Sequence, residues 1–251
     1  ALGKHHARIY AELAKEGLIE CVGVYDQNIS AAKEVANQHR IPLLQTMEEA
    51  TELAHALSVV TPTITHFSIA SGLLEKGKHL LVEKPMTDNT EQAKHLVELA
   101  CKKNCVLQIG HVERFNPVFT YLNASAKEPK FIETHRLSPY PARSTDIGVV
   151  LDLMIHDLDI VLAFVKSSVV QVDSAGVSVL SKSADIANAR LKFANGCVAN
   201  LTVSRISPER MRKIRVFSGG KEASYISLDY QKQEGFIYRV ASGGETPSSF
   251  W

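Results

Sequence analysis

His79-Leu80-Leu81-Val82-Glu83-Lys84-Pro85 is the stretch that decides the fold of this chain. An apolar run stops at a charged pair followed by proline. It reads as a buried strand that delivers Lys84 to the carboxyl edge of a parallel sheet, where open α/β sheets bind their ligands. A lysine there can donate to a substrate oxygen. Partly desolvated, it can also exchange protons near neutral pH. A strand running out into a turn with a solvated lysine is the plainer reading of the same spacing. The Lys84–Pro85 bond is a candidate for the cis form.

The flanking sequence repeats the pattern. Ala56 to Thr63 reads as a second buried strand ending in Thr61-Pro62-Thr63. Glu20 to Asp26 reads as another, ending in an acid, and Val106 to Gly110 as a last one. Helical periodicity fills the intervals at Ala31–His39, Ile64–Lys76 and Thr90–Lys103, with Thr63 and Thr65 as candidate N-caps of the second. Strand and helix in alternation imply right-handed parallel crossovers with helices on both faces. Gly3 opens a further helix through Leu13, where a dinucleotide fold would rest pyrophosphate on the helix N-terminus. Asp26 follows Gly3 by roughly the ~20 residues expected of a ribose-binding carboxylate, with a turn aspartate as the alternative. No arginine stands beside it to hold a 2′-phosphate, so the cofactor expected is NAD rather than NADP.

The pattern changes near Asn116-Pro117. The expected division is a dinucleotide-binding domain over 1–117 and an α+β substrate-binding and oligomerisation domain over 118–251. Beyond the boundary come a strand at Phe131–Leu137 and a helix at Asp146–Val165. Strands follow at Val169–Val179, Asp185–Phe193, Cys197–Arg205, Lys213–Ser218, Ala223–Leu228 and Gly235–Val240. Asn195-Gly196 is a strong hairpin signal. The product is a large, open, mostly antiparallel sheet with one face on the helix and the other calling for a partner subunit, hence a homodimer or homotetramer. Tyr225, Tyr230, Phe236 and Tyr238 read as core or interface aromatics.

Asp152 and His156 stand four apart on the helix, beside an apolar stripe of Leu151, Ile155, Leu158 and Leu162. A carboxylate one turn from an imidazole can orient it as a base. A surface ion pair has the same spacing. Asp157 and Asp159 read as solvated or capping acids. His111, Glu113, Arg114 and Asn116 lie in the connection between the domains, where substrate contacts can arise. Arg136, Arg143, Arg190 and Arg205 are candidate phosphate contacts.

Taken together, the Gly3-Lys4-His5-His6-Ala7-Arg8 start, Thr61-Pro62-Thr63 with His66, Glu83-Lys84-Pro85, and Asp152 with His156 resemble the glucose–fructose oxidoreductase/inositol dehydrogenase (Gfo/Idh/MocA) family. The resemblance covers nearly the whole chain. Gly110–Pro117 and Asn188–Phe193 look most like its UDP-N-acetylglucosamine 3-dehydrogenase-like branch. It implies an NAD(P)-dependent sugar dehydrogenase that oxidises a secondary hydroxyl of a sugar or nucleotide sugar. Lys84, Asp152 and His156 would then be catalytic and meet across the cofactor cleft. Gly3, Lys4, His5, Asp26, Thr61, Pro62, Thr63, His66, Glu83, Lys84 and Pro85 would hold the cofactor. His111, Glu113, Arg114, Asn116 and His156 would face the substrate. The family pattern also places a strand and glycine turn ahead of Ala1 and further helices beyond Trp251. A free-polyol dehydrogenase and a non-catalytic NAD-binding regulator are the competing readings; the regulator need not keep all three catalytic groups.

Composition agrees with this class. A chain of 251 residues with 45% hydrophobic and 22% charged residues is ordinary for a soluble two-domain protein. A net charge of +1 supplies no field for nucleic acid or an acidic membrane. Cys21, Cys101, Cys105 and Cys197 are scattered as in a reducing cytoplasm. Neither they nor the histidines at 5, 6, 39, 55, 79, 95 and 135 show metal-ligand spacing, so no metal is expected. No apolar run approaches the ~20 residues of a membrane span.

Overall fold

The computed structural model describes residues 2–140, 147–220 and 223–239. Two compact units divide after Gly110, ahead of the boundary expected at 117.

The first unit opens with α1 (Gly3–Lys15), α2 (Ile29–His39) and α3 (Met47–Leu53). It continues through β1 (Ala56–Val59), α4 (Thr63–Glu75), β2 (His79–Val82), α5 (Thr90–Lys103) and β3 (Leu107–Ile109). The three strands pair in parallel in the order β1-β2-β3, with Val59 opposite Val82 and Val82 opposite Ile109. Parallel pairing requires crossovers, and α4 and α5 supply them. Their inner faces, Ala70, Leu73, Leu74, Leu96, Leu99 and Ala100, close over Val59, Leu80 and Val82 to form the core.

The Glu20–Asp26 stretch departs from its expected strand. Only Val24 pairs, in an isolated parallel bridge with Leu43. Val24 N donates to Pro42 O and Leu44 N to Val24 O, both at 3.0 Å. A strand needs a ladder along its length, and among the described residues the ladder here is one bridge long. Gly23 permits even that: with φ 144°, a Cβ at this position would sit 2.6 Å from Pro42 O.

The second unit begins with a 3₁₀ turn (Val112–Phe115), α6 (Pro117–Ser125) and β4 (Pro129–Leu137). A π-helical turn (Val150–Met154) runs directly into α7 (Ile155–Val165). Then come β5 (Val169–Val177), β6 (Ile186–Phe193), β7 (Val198–Ser204), β8 (Met211–Ser218), β9 (Ser224–Asp229) and β10 (Glu234–Arg239). The seven strands form one sheet in the order β10-β9-β8-β4-β7-β6-β5, antiparallel except for the parallel pair β4–β7. At the Asn195-Gly196 turn between β6 and β7, Gly196 takes φ 83°. Alternate residues such as Ile132, Leu191, Leu201, Val203, Ile214, Val216 and Ile226 point into a core with α6 and α7.

The apolar stripe of α7 is not the expected one. Met154, Ile160, Val161, Phe164 and Val165 are buried, while Leu162 is 45% exposed and Leu151, Ile155 and Leu158 are half-buried. The π turn rotates everything after it relative to a continuous α-helix, so a 3.6-residue period counted from Leu151 lands on the wrong face. Asp146 and Val240, the outer ends of the expected helix and last strand, lie outside the described residues. Among the described residues no helix is long and apolar enough to cross a membrane.

Candidate functional site

In the first unit the β-strands end where the loops carrying the expected cofactor residues begin. β1 leads into Thr61-Pro62-Thr63, and α4 starts at Thr63 itself with Pro62 as its cap residue. The threonine N-caps therefore do not form. Instead, the Thr65 hydroxyl donates to Thr61 Oγ1 and Pro62 O, both at 2.8 Å. β2 leads into Glu83 and Lys84, and the Lys84–Pro85 peptide bond is cis.

His66 joins these two loops. It is 1% exposed, with Nδ1 2.8 Å from Pro85 O and Nε2 2.9 Å from Thr61 O. Each ring nitrogen lies against a backbone carbonyl, of which a neutral ring can donate to one, and His66 bears on the loops rather than on solvent.

Glu83 is buried beneath Lys84. Its Oε1 lies 2.9 Å from His6 Nε2 on α1, and Oε2 accepts the Lys84 N–H at 3.2 Å. His6 Nδ1 is 3.3 Å from Ser58 Oγ, which is 2.6 Å from the Tyr10 hydroxyl. Burial works against the Glu83 charge, yet the His6 bond and the Lys84 N–H hold its carboxyl below the ordinary glutamate value. The cluster fastens the α1 helix, with Gly3, Lys4 and His5 in its first turn, to the strands whose ends carry Thr61 and Lys84. That turn contains no acid and no side-chain cap, which suits an anion at its amides. Asp26 Oδ1 accepts the Asn28 N–H at 2.8 Å, so the turn role is realised; the residue is exposed just ahead of α2.

In the second unit Asp152 lies in the π turn and His156 in the first turn of α7, both half-buried. π turns recur at functional sites because they aim a side chain that a regular helix would not. Asp157 and Asp159, expected as solvated or capping acids, are neither. Asp157 is buried, with Oδ2 and Oδ1 each 3.0 Å from Nε and Nη2 of Arg136. Arg136 Nη1 also donates to Glu113 at 3.1 Å. Burial opposes the Arg136 charge, but Asp157 and then Glu113 more than restore it, raising the guanidinium above its ordinary value. Asp159 takes a forked bond from Arg114 at 2.6 and 2.7 Å, with His111 Nδ1 4.0 Å away. Asn116 caps α6 through the Val118 N–H at 3.0 Å and reaches Glu113 at 3.2 Å. Glu113 and Asn116 thus share one network with Arg136 of β4 and Asp157 of α7, while Arg114 pairs with Asp159 of α7 beside His111.

Arg136 and Arg205 are not phosphate contacts: both are buried against carboxylates, Arg205 with Asp185 at 2.9 Å. Arg190 is exposed on β6, and Arg143 lies outside the described residues. The single-residue signals had no means of pairing Arg136 with Asp157 or Arg205 with Asp185 across so much sequence.

Comparison with known proteins identifies the family. The first unit matches the family model of an oxidoreductase family with an NAD-binding Rossmann fold over residues 1–111. The Gfo/Idh/MocA C-terminal domain matches residues 109–225. The chain belongs to the Gfo/Idh/MocA oxidoreductase family. It is 38% identical over 243 residues to UDP-N-acetylglucosamine 3-dehydrogenase of Acidithiobacillus ferrooxidans, covering 96% of this chain and 75% of that protein. A solved structure of the same enzyme superposes with a TM-score of 0.86 over 95% of this chain and 77% of the other. The scyllo-inositol 2-dehydrogenase (NAD(+)) of Bacillus subtilis is 25% identical, over 82% of this chain and 65% of its own. A Bordetella pertussis dehydrogenase solved with NADH and UDP-GlcNAcA shares the fold at 17% identity and a TM-score of 0.80, over 95% of this chain and 75% of that one. The protein is therefore an oxidoreductase whose first unit is an NAD-binding module.

Proposed function

We propose that this protein oxidises a secondary hydroxyl of a nucleotide sugar, C3 of UDP-N-acetylglucosamine, with NAD as hydride acceptor. The observation that carries the reading is the 38% identity to a UDP-N-acetylglucosamine 3-dehydrogenase along 96% of the chain. The presence of Lys84, Asp152 and His156 accompanies it. NAD held in the first unit would supply the acceptor for the hydride of the carbinol carbon. The α1 N-terminus with Gly3, Lys4 and His5, together with Asp26, the Thr61-Pro62-Thr63 loop and the Glu83-Lys84-Pro85 loop, would hold it, and His66 would act through the two loops it joins.

Lys84 donates to the substrate oxygen as alkoxide character develops and then to the ketone. His156 takes the hydroxyl proton, and Asp152 orients the ring and supports its charge. The connection carrying His111 and Arg114 positions the sugar. The second unit also carries the subunit contact. Phe131, Phe217, Tyr225 and Tyr238 form a continuous aromatic row on the sheet face away from α7, with centroids 5.9, 4.9 and 6.0 Å apart in succession. Phe236 and Tyr238 are 66% and 51% exposed. A homodimer or homotetramer through this face, in a reducing cytoplasm, completes the reading.

The test is a panel of UDP-sugars, with free inositols as a second arm, offered with NAD to the full-length protein while reduced-nicotinamide absorbance is followed. Turnover is expected with UDP-N-acetylglucosamine. Turnover only with inositols would move the protein to the polyol class. Cofactor binding without turnover on either arm would favour a regulator. Light scattering should return twice or four times the monomer mass.

A further inference from the structure

We propose that Arg136 and Arg205 are positioning residues that hold the Asp152–His156 segment from its two ends. The inference rests on the catalytic reading of that segment given above.

The upstream anchor is built on Arg205. Fully buried just past the end of β7, it donates Nε to Asp185 at 2.9 Å and Nη2 to the Ser181 and Ser183 hydroxyls at 2.8 Å. Its Nη1 donates to Ile147 O, also at 2.8 Å. Asp185 is buried too and accepts the backbone N–H groups of Val179, Leu180 and Ser181 at 2.8, 2.7 and 2.9 Å. This knot reaches the entrance of the π turn at two residues, Ile147 and Val149, while Gly148 bonds within the segment. Ser183 also donates to Ile147 O at 3.3 Å, Gly148 O accepts the Asp152 N–H at 3.2 Å, and Val149 N donates to Ala184 O at 2.9 Å. A carboxylate with this many donors stays charged, and the arginine fork is satisfied at each nitrogen.

The downstream anchor is Arg136 on Asp157, the residue after His156. Arg136 also ties that point to Glu113. The two arginines reach the segment from one place. β4 and β7 are the parallel pair of the sheet, with Arg136 opposite Val203 and Leu137 opposite Ser204, so their carboxyl ends emerge side by side. In an antiparallel pair the two ends would lie at opposite edges.

With Ile147 and Asp157 both pinned, the distance that the residues between them must span is fixed, and the π turn absorbs the excess over an α-helix. Release of either pin lets the segment slip toward regular α geometry. Each residue of slip turns a side chain by about 100° about the axis, which swings Asp152 away from the direction in which the two pins hold it.

The experiment uses the full-length protein with UDP-N-acetylglucosamine and NAD. Arg205→Lys and Arg136→Lys keep the charge and remove the fork. Each is expected to lower kcat by roughly ten- to a hundred-fold, the scale of a sub-ångström to ångström misplacement of a catalytic group. KM for NAD should stay within about two-fold, and the His156 limb of the kcat–pH profile should move. Amide exchange across 149–156 should quicken by about ten-fold while the sheet amides hold. Where a lysine variant does not fold, Ser183→Ala removes one donor from Ile147 O and should lower kcat several-fold, with Ser183→Thr restoring it. Wild-type kcat and exchange in the folded variants would overturn the inference. His156→Asn in the same assay separates the two layers. If it is dead while the arginine variants keep wild-type kcat, only the positioning role falls; if it turns over normally, the catalytic reading itself falls.

Discussion

Gly110→Ala tests how tightly the floor of the Lys84 loop is built. A Cβ at Gly110 would lie 2.9 Å from Glu83 Oε1 and 3.0 Å from both Cδ and Oε2. Such an approach is closer than ordinary van der Waals contact, so the carboxylate has to move. It is buried and holds His6 Nε2 at 2.9 Å and the Lys84 N–H at 3.2 Å. Weakening the charge-assisted bond to His6 costs about 1.5–3 kcal/mol, and overpacking adds about 1–3 kcal/mol. The loss of unfolded-chain freedom on replacing glycine returns about 0.4–1 kcal/mol. The net expectation is a destabilisation of about 1.5–5.5 kcal/mol, together with a fall in kcat because Lys84 follows Glu83 directly. Gly72→Ala is the control. This exposed glycine in α4 has nothing within 4 Å of where a Cβ would stand, and alanine there should stabilise by up to about 1 kcal/mol. Urea unfolding followed by circular dichroism measures both. If Glu83 transmits the effect, Gly110→Ala combined with His6→Ala costs less than the two singly. Additive losses, or a Gly110→Ala variant as stable as wild type, would refute the reasoning.

Lys84→Ala should retain fold and NAD affinity while turnover falls by about two to four orders of magnitude; near-normal kcat would remove it from the mechanism. Calorimetry should find NAD bound more tightly than NADP, because the Asp26 carboxylate repels a 2′-phosphate; Asp26→Ala should narrow the gap, and equal affinities in wild type would assign the preference elsewhere. His156→Asn should collapse turnover with little change in NAD affinity, and Asp152→Asn should cost less, read as kcat against pH for each. The folded Glu83 carboxyl sits below its unfolded value of about 4.3, so its contribution is full above that pH and is lost as pH falls through the folded value. Urea midpoints taken between about pH 6 and about pH 3 should fall less steeply in Glu83→Gln than in wild type, and parallel curves would contradict the assignment.

The parts legible in the sequence were those with a local cause. Thr90–Lys103 carries its period and its N-capping Asn89 within one window. The run His79–Val82 ends at a charge, as a buried strand reaching the sheet edge must. Two helix starts were also written locally. Thr46-Met47-Glu48-Glu49 has capping-box spacing, and Thr46 does cap α3 through the Glu49 N–H at 3.0 Å. Asn116-Pro117, expected as a boundary, is the N-cap and first residue of α6. What was not legible depends on distant partners. Among the described residues Val24 finds only Leu43, so Glu20–Asp26 keeps strand composition without a ladder. Leu162 stays exposed because a π turn ahead of it resets the helix phase. Arg136 and Arg205 looked like ligand-seeking cations because the carboxylates that bury them come from other elements.

The parallel pair at the middle of the large sheet has a consequence for biosynthesis. β4 has two neighbours, β7 and β8, and both are encoded well after it. As the chain leaves the ribosome, the β5–β6 and β6–β7 hairpins can close as they appear, but residues 129–137 have no ladder to join until Ser204 has emerged. The long intervening stretch, the π turn and α7 within it, must be kept in solution meanwhile, at the entropic cost of a long loop. Arg136 and Arg205 cannot be brought side by side before that closure. The helix carrying His156 thus waits for β7 before it reaches a fixed setting during synthesis, and a chain held up before residue 204 emerges would expose an unpaired central strand to aggregation.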